Sequence, residues 1–583
     1  MWVVATAGHV DHGKSTLIRA LTGMEPDRWA EERRRGLTIG LGFAWTNLPG
    51  LGDIAFVDVP GHERFVATML AGAGPAPAVL FVVAADGGWM PQSSEHLAAL
   101  DTLGVRHAVL AVTRADLADP APTLADARAR LARTSLGAVD AVAVSGRTGA
   151  GLAELRDALR RMAHTIQPAD PGADVRWWID RSFSITGAGT VVTGTLTEGT
   201  LRVGDELLLA STGARVVIRG LQSLEREADA VSGVARVAAN LRGVDRSSIA
   251  HGDALLSLDA WQSANEVDVA LCADDPPREA VLHIGSAAVA VRVRPLGPRT
   301  ARLRLARPLP LRVGDRALLR DPGAHRIVAR VDVLDPRPPD LRRRGAARER
   351  GAELTALAAG PPERIADAFL RRARFLPPEV FRQLGLPVVG EDIGGALWAD
   401  PRAWADARKR LPELVDGWLA DHPLADGMPV AALREELDLP GADVAELLVR
   451  TAEVRITRGR VGGQALPSIV EDAVARLAAE LAADPLVAPD VPGLRELGLG
   501  NPELAAAVRA GRLLKVADGI FLLPDACERA QALLATIEQP FTVSQARQAW
   551  HTTRRVAVPL LELLDHQGIT RRFPDGTREL RIV

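Results

Sequence analysis

The stretch Gly8-His9-Val10-Asp11-His12-Gly13-Lys14-Ser15 decides the architecture of the first part of this 583-residue chain. It fits the pattern GxxxxGK followed by Ser or Thr, comes after a short apolar run at Trp2–Ala7, and precedes a helical run at residues 16–21. A strand, a glycine-rich loop and a helix in this order form a phosphate-binding loop, whose backbone N–H groups face the β-phosphate. Lys14 would neutralise the β- and γ-phosphate oxygens, and the Ser15 hydroxyl would be a ligand of Mg²⁺. The sequence therefore predicts a nucleotide-binding α/β domain. Within it, buried strands are predicted at 79–84 and 108–112 and helices at 94–103 and 124–131.

The composition is that of a folded globular protein. Apolar residues make up 47% of the chain and charged residues 25%, which excludes a disordered or fibrous protein. No apolar stretch reaches the ~18 residues of a membrane span, and no basic secretory segment opens the chain, so we expect a cytoplasmic protein. Cys272 and Cys527 lack metal-ligand spacing, which favours structural thiols. Because the formal charge is −3, any contact with nucleic acid must use a local patch.

Three further motifs follow apolar runs in the order that a guanine-nucleotide site needs. Asp58-Val59-Pro60-Gly61-His62 comes after residues 54–57, where an aspartate can hold Mg²⁺ through water and Gly61 can reach a γ-phosphate. Thr113-Arg114-Ala115-Asp116 follows residues 108–112, and Asp116 can accept both guanine N1–H and the exocyclic amine, which selects GTP over ATP. Ser145-Gly146-Arg147 could offer a backbone N–H to the guanine carbonyl. Each motif is weak alone, and their order and spacing carry the inference.

Together these residues resemble the translational GTPases. The resemblance rests on the phosphate loop, on Arg35-Gly36-Leu37-Thr38-Ile39 and on Asp58-Val59-Pro60-Gly61-His62-Glu63. It implies GTP and Mg²⁺ as cofactors, with Thr38 completing the Mg²⁺ shell beside Ser15 and Asp58. It also implies that His62 orients the attacking water behind a hydrophobic gate of Val10 and Leu37. A solvent-facing loop histidine is the alternative for His62.

The predicted GTP-binding set combines these motifs. Two positions depart from the usual guanine motif, since Thr113 stands in place of an asparagine and Arg114 in place of a lysine, and Gly146 replaces the usual alanine of the last motif. Loss of hydrogen-bonding capacity at Thr113 predicts looser nucleotide binding, while the Arg114 guanidinium can still stack over guanine. The predicted set is Gly8, His9, Val10, Asp11, His12, Gly13, Lys14, Ser15, Thr16, Thr38, Asp58, Gly61, Thr113, Arg114, Asp116, Ser145, Gly146 and Arg147.

Beyond residue 175 the pattern changes to short strand-like runs separated by Gly/Asp turns. Strands are predicted at 191–196, 206–209, 215–218, 288–293 and 301–305. The pentapeptides Leu201-Arg202-Val203-Gly204-Asp205 and Leu311-Arg312-Val313-Gly314-Asp315 are near copies, which favours two β-barrels over one larger sandwich. The expected boundaries are 1–170 for the GTP-binding domain, 171–262 for the second domain and 263–337 for the third.

Residues 338–583 form an Ala/Leu/Arg-rich helical tail. Strand-like tips near 396–398, 463–465, 519–521 and 579–581 recur about every 60 residues, which favours four small helical modules, each closed by a β-wing, at about 345–400, 401–467, 468–525 and 526–583. An irregular helical domain is the alternative. The five arginines of residues 342–350 lie at the joint before this tail, and we assign them no role.

The run of residues 180–195 resembles the start of the second domain in elongation factors that carry aminoacyl-tRNA. With the long tail, the chain is most similar to the bacterial selenocysteine-specific elongation factors (the SelB family). The predicted fold class is multidomain: an α/β P-loop GTPase domain, two β-barrels and a tail of tandem winged-helix modules. The resemblance implies a monomeric GTPase whose partners are selenocysteyl-tRNA, the ribosome and an mRNA hairpin, and which acts at UGA codons. The alternatives are a metabolic GTPase on the same three-domain core and a nucleic-acid-binding regulator with a slow GTPase switch.

Asp180 and Arg181 precede the phenylalanine of this run, and the same resemblance extends to the pair. Because a selenol is far more acidic than a serine hydroxyl, selenocysteine is an anion at neutral pH, and Arg181 could pair with the selenolate. Asp180 could orient Arg181 or bind the esterified amino group. A structural ion pair at the rim of the barrel is the alternative.

The last module carries a local positive charge. Residues 541–583 contain seven arginines and four acidic residues, so this segment is +3 in a chain of −3. A helix N-terminus with arginines beside a wing is suited to grip the phosphates of an RNA hairpin, and a solvated arginine-rich face is the alternative. The predicted RNA-binding residues are Arg547, His551, Thr552, Thr553, Arg554, Arg555, Arg571 and Arg572.

Overall fold

The computed structural model of this chain describes residues 1–26, 40–62, 65–187, 189–273, 275–324, 326–394, 396–457, 459–462 and 466–581. The chain forms two compact units, Met1–Gly390 and Glu391–Val583. Among the described residues, no helix has the length and apolar character that a bilayer crossing requires.

The first unit opens with an α/β domain built on a six-stranded sheet in the order β2-β3-β1-β4-β5-β6. Strand β2 runs antiparallel to β3, and the other pairs are parallel. The strands are β1 (Trp2–Ala7), β2 (Gly42–Leu48), β3 (Gly52–Asp58), β4 (Ala78–Ala84), β5 (His107–Thr113) and β6 (Asp140–Ala143). The helices are α1 (Lys14–Thr22), α2 (Val66–Ala73), α3 (Pro91–Leu103), α4 (Ala121–Leu131) and α5 (Leu152–Thr165).

Burial on both faces explains the continuous apolar strands of this sheet. Every residue of β4 is buried, as expected for a central parallel strand covered by helices on both sides. The strands predicted at 79–84 and 108–112 are confirmed. The helices predicted at 94–103 and 124–131 each begin three residues earlier, because a proline in the first turn needs no N–H partner there. The carboxyl ends of β1, β3 and β5 meet at one edge, which is where the motif residues lie.

The second domain is an eight-stranded sheet that curls back on itself. Its order is β7-β16-β11-β12-β15-β9-β8 with β13 beside β12, and β10 pairs separately with β14. The backbone N–H of Asp180, just after β7, donates to the carbonyl of Thr193 in β9 at 2.9 Å, which brings the two sides of the sheet together. The strands are β7 (Arg176–Trp178), β8 (Arg181–Ile185), β9 (Gly189–Leu196), β10 (Thr200–Arg202), β11 (Glu206–Leu209), β12 (Arg215–Ser223), β13 (Arg226–Ala228), β14 (Ala230–Ser232), β15 (Ala235–Arg242) and β16 (Ala254–Ser257).

The third domain is a closed antiparallel barrel in the order β17-β20-β19-β18-β21-β22. Along β19, buried residues alternate with exposed ones over eight positions, which is the period of a strand with one face on a core. The strands are β17 (Ser263–Leu271), β18 (Glu279–Ile284), β19 (Ala287–Gly297), β20 (Thr300–Pro310), β21 (Arg316–Asp321) and β22 (Arg326–Asp335).

The duplicated pentapeptide forms the same turn in both barrels. In the first copy the backbone N–H of Arg202 donates to Asp205 Oδ2 at 2.7 Å, and in the second copy that of Arg312 donates to Asp315 Oδ2 at 2.7 Å. The aspartate of the second copy has an additional side-chain partner. The guanidinium of Arg176, in the second domain, donates to both oxygens of Asp315 at 2.5 and 2.7 Å, so this turn also joins the two barrels.

A buried cluster of charges attaches the joint and the next helices to the third barrel. The first unit continues through α6 (Ala346–Ala358), α7 (Pro362–Ala373), strand β23 (Phe375–Leu376) and α8 (Pro378–Leu384). Arg350 of α6 is 4% exposed and donates to Asp268 at 2.8 Å and to Asp335. Arg302 donates to the same Asp268 at 2.7 and 3.0 Å, and Arg372 donates to Asp335 at 2.7 Å. Arg350, which received no role from the sequence, is therefore part of a fixed joint.

The second unit alternates helices with short hairpins. The predicted tips at 396–398, 519–521 and 579–581 coincide with hairpin strands, whereas 463–465 lie outside the described residues and the hairpin of that segment ends at Val461. The hairpin strands are β24 (Glu391–Gly394), β25 (Leu397–Ala399), β26 (Met428–Pro429), β27 (Ile456–Thr457), β28 (Arg460–Val461), β29 (Leu514–Ala517), β30 (Ile520–Leu522), β31 (Thr570–Arg572) and β32 (Arg578–Leu580). The helices are α9 (Pro401–Asp421), α10 (Val430–Glu436), α11 (Ala442–Thr451), α12 (Ser468–Ala483), α13 (Val491–Glu496), α14 (Asn501–Arg509), α15 (Ala526–Leu534), α16 (Val543–Ala549) and α17 (Arg554–His566).

The charge cluster at the joint gives a stability prediction. Replacement Arg350→Ala would leave the buried carboxylates of Asp268 and Asp335 without one of their cations, so we expect the free energy of unfolding to fall by about 3 kcal/mol. Urea unfolding followed by tryptophan fluorescence measures this change. Arg348→Ala is the matched control, because Arg348 lies on the same helix and is exposed. Equal effects of the two replacements would contradict this assignment.

Candidate functional site

The phosphate loop connects β1 to α1 and is folded around the Lys14 side chain. Lys14 is 6% exposed, and its Nζ donates to the carbonyls of Gly8 at 3.1 Å and His9 at 2.8 Å. Gly8 has φ 127°, and a Cβ there would lie 2.1 Å from the carbonyl oxygen of Val82. Only glycine fits this position. Gly13, with φ 77°, precedes the first residue of α1.

Hydroxyl and carboxylate oxygens at the ends of β1 and β3 lie beside the phosphate loop. The Ser15 hydroxyl donates to Asp58 Oδ2 at 2.6 Å, and the Thr6 hydroxyl donates to Asp58 Oδ1 at 2.7 Å. Thr6 in turn accepts the backbone N–H of Val59 at 3.0 Å. Asp58 is fully buried, so these hydrogen bonds hold its carboxylate in one orientation at the start of α1.

Gly61 lies directly against the phosphate loop. A Cβ on Gly61 would lie 2.5 Å from Lys14 Nζ and 2.6 Å from the backbone nitrogen of Val10, so a larger residue would enter the loop. His62 follows and is half-buried, with its ring centroid 6.0 Å from that of Phe65. Leu37 and Thr38, like the rest of 35–39, lie outside the described residues.

The guanine motif is tied to the phosphate loop through Thr113. Its hydroxyl donates to the carbonyl of His12 at 2.7 Å, and the residue is 3% exposed. Arg114 has φ 57°, donates to Asp86 at 2.9 Å, and also donates to the carbonyl of Asp11. Thr113 therefore makes a connection to the loop, and the Arg114 guanidinium is held by a carboxylate and a carbonyl.

The remaining predicted guanine-site residues lie on the same edge of the sheet. Asp116 is exposed three residues beyond the end of β5. The buried Ser145 hydroxyl accepts the backbone N–H groups of Arg147 at 3.3 Å and Thr148 at 3.1 Å, which shapes the turn after β6. A Cβ on Gly146 would lie 3.4 Å from Thr16 Cγ2, so this turn and the start of α1 are neighbours.

Two histidines of the loop are uncharged and carry unsatisfied polar atoms. Burial lowers the pKa of His12 to about 4, helped by the nearby His9 and Lys14, and burial also lowers the pKa of His9. The Nδ1 atoms of His9 and His12 are buried and have no hydrogen-bond partner within the described part of the chain. Unsatisfied polar atoms beside a loop of this kind are suited to a polar ligand.

A cavity of about 870 Å³ lies between the first two domains of the first unit, lined by Phe43 of β2 and by residues of β8 and β15. Asp180, which is 7% exposed, accepts both terminal nitrogens of Arg236, one of them at 2.8 Å, and the Thr193 hydroxyl at 2.8 Å. The prediction that Asp180 orients Arg181 is therefore corrected: its carboxylate pairs with Arg236.

Arg181 enters the same cavity from the other side. Its guanidinium donates to the carbonyl of Leu41, and its Cζ lies 5.0 Å from the centroid of the Phe43 ring. The Cζ of Arg236 lies 4.0 Å from the same centroid. Among the described residues that line the cavity are three arginines and two acidic residues, which sum to +1: Arg181, Arg236, Arg246, Asp180 and Glu225.

The predicted RNA-binding residues of the second unit divide into two groups. Most are exposed at the N-terminus of α17 or on β31, while Arg547 is half-buried on α16. Thr552 is 6% exposed and donates to the carbonyl of Leu486, and Arg555 donates to the carbonyls of Ala488 at 2.5 Å and Pro489 at 2.9 Å. These two side chains connect the last module to the preceding one, and a role in RNA binding stays a prediction for them. Apart from the buried Thr552 and the half-buried Arg547, all of the predicted residues are exposed.

Three family models match separate parts of the chain. Residues 1–165 match the elongation factor Tu GTP-binding domain. Residues 268–340 match the β-barrel domain of the selenocysteine-specific elongation factor. Residues 532–578 match the winged helix of elongation factor SelB.

Similarity to whole proteins extends over the same regions. A selenocysteine-specific elongation factor of Desulfomicrobium baculatum is 30% identical over 99% of both chains. The selenocysteine-specific elongation factor of Escherichia coli K12 is 37% identical over 58% of this chain and 56% of the relative. The crystal structure of a bacterial selenocysteine-specific elongation factor superposes over 100% of both chains with a TM-score of 0.78 at 24% sequence identity, which supports the fold.

The fold and the nucleotide site define a translational GTPase of the elongation factor Tu type, which hydrolyses GTP and binds it with Mg²⁺. The match over 99% of the length of the D. baculatum relative makes the assignment more specific. The chain belongs to the selenocysteine-specific elongation factors. The alternative of a metabolic or regulatory GTPase on the same core is not favoured.

The residues of this site fit GTP and Mg²⁺. The Ser15 hydroxyl and the Asp58 carboxylate lie 2.6 Å apart, and hard oxygen donors of this type are what Mg²⁺ prefers. Lys14 and the N-terminus of α1 provide the positive end for a polyphosphate. A Cβ on Gly8 would meet the carbonyl of Val82 in β4, and a Cβ on Gly61 would meet Lys14 Nζ and the Val10 nitrogen, so glycine at both positions allows the close packing around the loop.

Several residues that contact these sites belong to none of the motifs recognised in the sequence. Thr6 and Arg236 contact predicted site residues through strand pairing, and Gln92 and His96 of α3 contact the loop backbone. Gln92 and His96 belong to the run PQxxEH at residues 91–96, which follows β4. The sequence of this run does not indicate a site, because its contact with the phosphate loop depends on where α3 packs.

The Thr113 contact gives a prediction for nucleotide release. Thr113→Val keeps the shape of the side chain and removes the hydrogen bond to the His12 carbonyl, so GDP should dissociate about 5- to 10-fold faster. Stopped-flow release of fluorescent GDP measures the rate. Thr102→Val is the control, since the hydroxyl of the half-buried Thr102 donates to the carbonyl of Ala98 in its own helix. An unchanged rate for Thr113→Val would show that the link is dispensable.

Proposed function

We propose that this protein delivers selenocysteyl-tRNA to the ribosome at UGA codons in a GTP-dependent manner and binds an mRNA hairpin through its C-terminal module. The observation that carries the proposal is the cavity beside Asp180, where two guanidiniums face one aromatic ring in a translational GTPase. We propose a cytoplasmic monomer, with the domains divided as the sequence predicted.

The GTPase part of the proposal assigns roles to the loop residues. Lys14 binds the β- and γ-phosphate oxygens, while Ser15, Asp58 and Thr38 hold Mg²⁺, which neutralises charge on the phosphates when bound. His62 orients the attacking water by a hydrogen bond, and it is the proposed catalytic residue. Val10 and Leu37 form the hydrophobic gate in front of His62. Support comes from Gly61, which places His62 next to the loop.

Guanine is selected at the other end of the site. Asp116 accepts the N1–H and exocyclic amine of guanine, and the turn at Ser145-Gly146-Arg147 offers a backbone N–H to the guanine carbonyl. Adenine would leave the Asp116 carboxylate without these donors, which is the source of discrimination. Arg114 covers the loop from outside and is fixed by Asp86.

The cavity between the first two domains is the proposed site of the aminoacyl group. Asp180 neutralises Arg236 and fixes it over Phe43, and Arg181 approaches the same ring. The guanidinium pair leaves a positive balance in a partly desolvated space, where a selenolate is stabilised more than a neutral hydroxyl of the same size. Discrimination between selenocysteyl- and seryl-tRNA follows from this difference in charge.

Arg181→Ala tests the main function. We expect affinity for selenocysteyl-tRNA to fall by about 10- to 100-fold, with affinity for seryl-tRNA nearly unchanged, because a hydrogen bond to a charged group is lost only in the first case. Competition binding of the GTP-bound protein to the two tRNAs gives the ratio. Arg215→Gln is the matched control, since Arg215 is an exposed arginine of the same domain that pairs with Glu206. An unchanged ratio for Arg181→Ala would refute the pocket, and equal wild-type binding of both tRNAs would refute the function.

The last module is the proposed hairpin-binding site. Arg554 and the exposed N-terminus of α17 lie in the same module as Arg571 and Arg572 on β31, whose guanidiniums remain available to phosphates. Arg578, opposite Arg572 in the hairpin, is instead buried on Asp565 at 2.8 Å. In this proposal Arg554, Arg571 and Arg572 contact RNA, whereas Arg578 supports the hairpin of the wing.

Arg554→Gln should weaken hairpin binding and reduce the steepness of its salt dependence by about one ion, because one phosphate contact is removed. Filter binding of the full chain to the hairpin over a series of KCl concentrations measures both quantities. Arg512→Gln serves as the control, because Arg512 lies in the preceding module, 468–525, and pairs there with Glu471. If both replacements had the same small effect, RNA binding would have to lie elsewhere.

A further inference from the structure

A basic groove of about 670 Å³ lies on the outer face of the third barrel, along β19 and β20. Its other wall is the joint at residues 338–342, between the barrel and α6. Among the described residues that line the groove are five arginines and two acidic residues, an excess of three positive charges in a chain whose formal charge is −3. These charged residues are Arg292, Arg294, Arg302, Arg304, Arg342, Glu266 and Asp340.

The arginines of β19 and β20 face one another in pairs. Arg292 lies directly opposite Arg304, and Arg294 lies directly opposite Arg302. Like charges in opposite positions on neighbouring strands are destabilising, so the fold gains nothing from these pairs. Arg302 is 6% exposed and is neutralised by Asp268, to which it donates at 2.7 and 3.0 Å. The other three arginines of these strands are exposed.

The acidic neighbours of the exposed arginines compensate their charge only weakly. Arg292 Nε lies 3.7 Å from a carboxylate oxygen of Glu279, and Arg304 Nε lies 4.0 Å from one of Glu266. The two arginine side chains are 79% and 74% exposed. Exposed ion pairs at such distances contribute little and are screened by salt, so both guanidiniums are accessible to a stronger anion.

Both walls of the groove are fixed in position. The arginines of β19 and β20 stand on a closed barrel, and the opposite wall is held by the buried charge cluster around Asp335. The backbone N–H of Arg337 donates to Asp335 Oδ1 at 2.7 Å, and the carbonyl of Arg337 accepts from Arg372 at 3.0 Å. Pro338 and Pro339 follow, and their rings fix φ. Because the groove is already formed, a ligand binds it with little loss of conformational entropy.

The chemistry of the groove favours the phosphates of RNA over an acidic peptide. Among the described lining residues none is aromatic, whereas tight peptide binding depends on large anchors in buried pockets. RNA phosphates require only cations at a suitable spacing. Opposite positions on paired strands are about 5 Å apart, and alternate positions along one strand are about 7 Å apart. Neighbouring guanidiniums can therefore each contact a phosphate of one RNA strand.

We propose that this groove binds the sugar–phosphate backbone of ribosomal RNA when the protein docks on the ribosome. The aminoacyl end of the tRNA and the mRNA hairpin already have proposed sites, in the cavity beside Asp180 and in the last module. The ribosome is the remaining nucleic-acid partner of a factor of this class. This role rests on the proposed function, because it requires that the chain acts on the ribosome.

Arg292→Gln/Arg304→Gln removes two exposed charges from the groove. The full chain, bound to a GTP analogue and to aminoacyl-tRNA, should lose about 10-fold in affinity for ribosomes that carry a UGA codon and the hairpin. The salt dependence of this affinity should become less steep by about two ions, because two phosphate contacts are lost. Cosedimentation with the ribosomes over a series of KCl concentrations measures both quantities. Arg294→Gln/Arg342→Gln removes the other two exposed arginines and should give the same result, which keeps the test decisive if one variant does not fold.

Arg128→Gln/Arg133→Gln is the matched control, since it makes the same change in charge at two exposed arginines of the first domain. The control should retain the affinity and the salt dependence of the wild type. The groove variants should bind aminoacyl-tRNA and the isolated hairpin as the wild type does, because these partners bind at the other two sites. An equal loss of ribosome affinity in the control and in the groove variants would overturn the proposal, since net charge alone would then explain it.

Two further results distinguish other occupants of the groove. Weaker binding of aminoacyl-tRNA by the groove variants in the absence of ribosomes would assign the groove to the body of the tRNA and refute the contact with ribosomal RNA. A p-azidophenylalanine placed at position 341 should cross-link to ribosomal RNA on irradiation, and cross-links to ribosomal protein alone would assign the groove to a protein partner instead. Failure of the proposed function would be seen separately, as equal binding of selenocysteyl- and seryl-tRNA by the wild type.

Discussion

The fold of the first domain depends on one buried carboxylate. Asp58 accepts hydroxyl groups from Thr6 and from Ser15, so it joins β3 to the end of β1 and to the start of α1. An unpaired carboxylate at this depth would be costly, which means that the strands and the helix must meet at this point for the domain to be stable. The same requirement places two of the proposed Mg²⁺ ligands, Ser15 and Asp58, beside the phosphate loop. The arrangement of β1, β3 and α1 that satisfies the Asp58 carboxylate is therefore also the arrangement that Mg²⁺ binding requires.

The nucleotide site was largely predictable because its residues follow consecutive parallel strands. Lys14 lies in the loop that follows β1, whereas Asp58 and Thr113 end the apolar strands β3 and β5, and parallel strands bring their carboxyl ends to one edge. The cavity proposed to bind the aminoacyl group was predictable only in part. Arg236 reaches Asp180 because β15 pairs with β9, and this pairing joins residues far apart in the chain without any local signal. The sequence therefore suggested Arg181, the next residue in the chain, as the partner of Asp180, whereas the partner in the structure is Arg236.

The arginines of this chain show why residue type alone does not identify an RNA surface. Arg350, Arg555 and Arg578 bind carboxylates or carbonyls within the protein, whereas Arg554 and Arg572 are exposed in runs of the same composition. A guanidinium satisfies buried acceptors as readily as it satisfies phosphates. The packing of its helix or hairpin decides whether an arginine contacts acceptors within the protein or is exposed. A count of charged residues contains no information on packing.

The two copies of the turn at Asp205 and Asp315 bear on how freely the barrels could be exchanged in evolution. One copy closes its own turn, whereas the other also clasps Arg176 of the neighbouring barrel. A recombined gene that kept the second barrel but received an unrelated third one would lose this clasp. We therefore expect lineages that shuffle domains to carry the two barrels together.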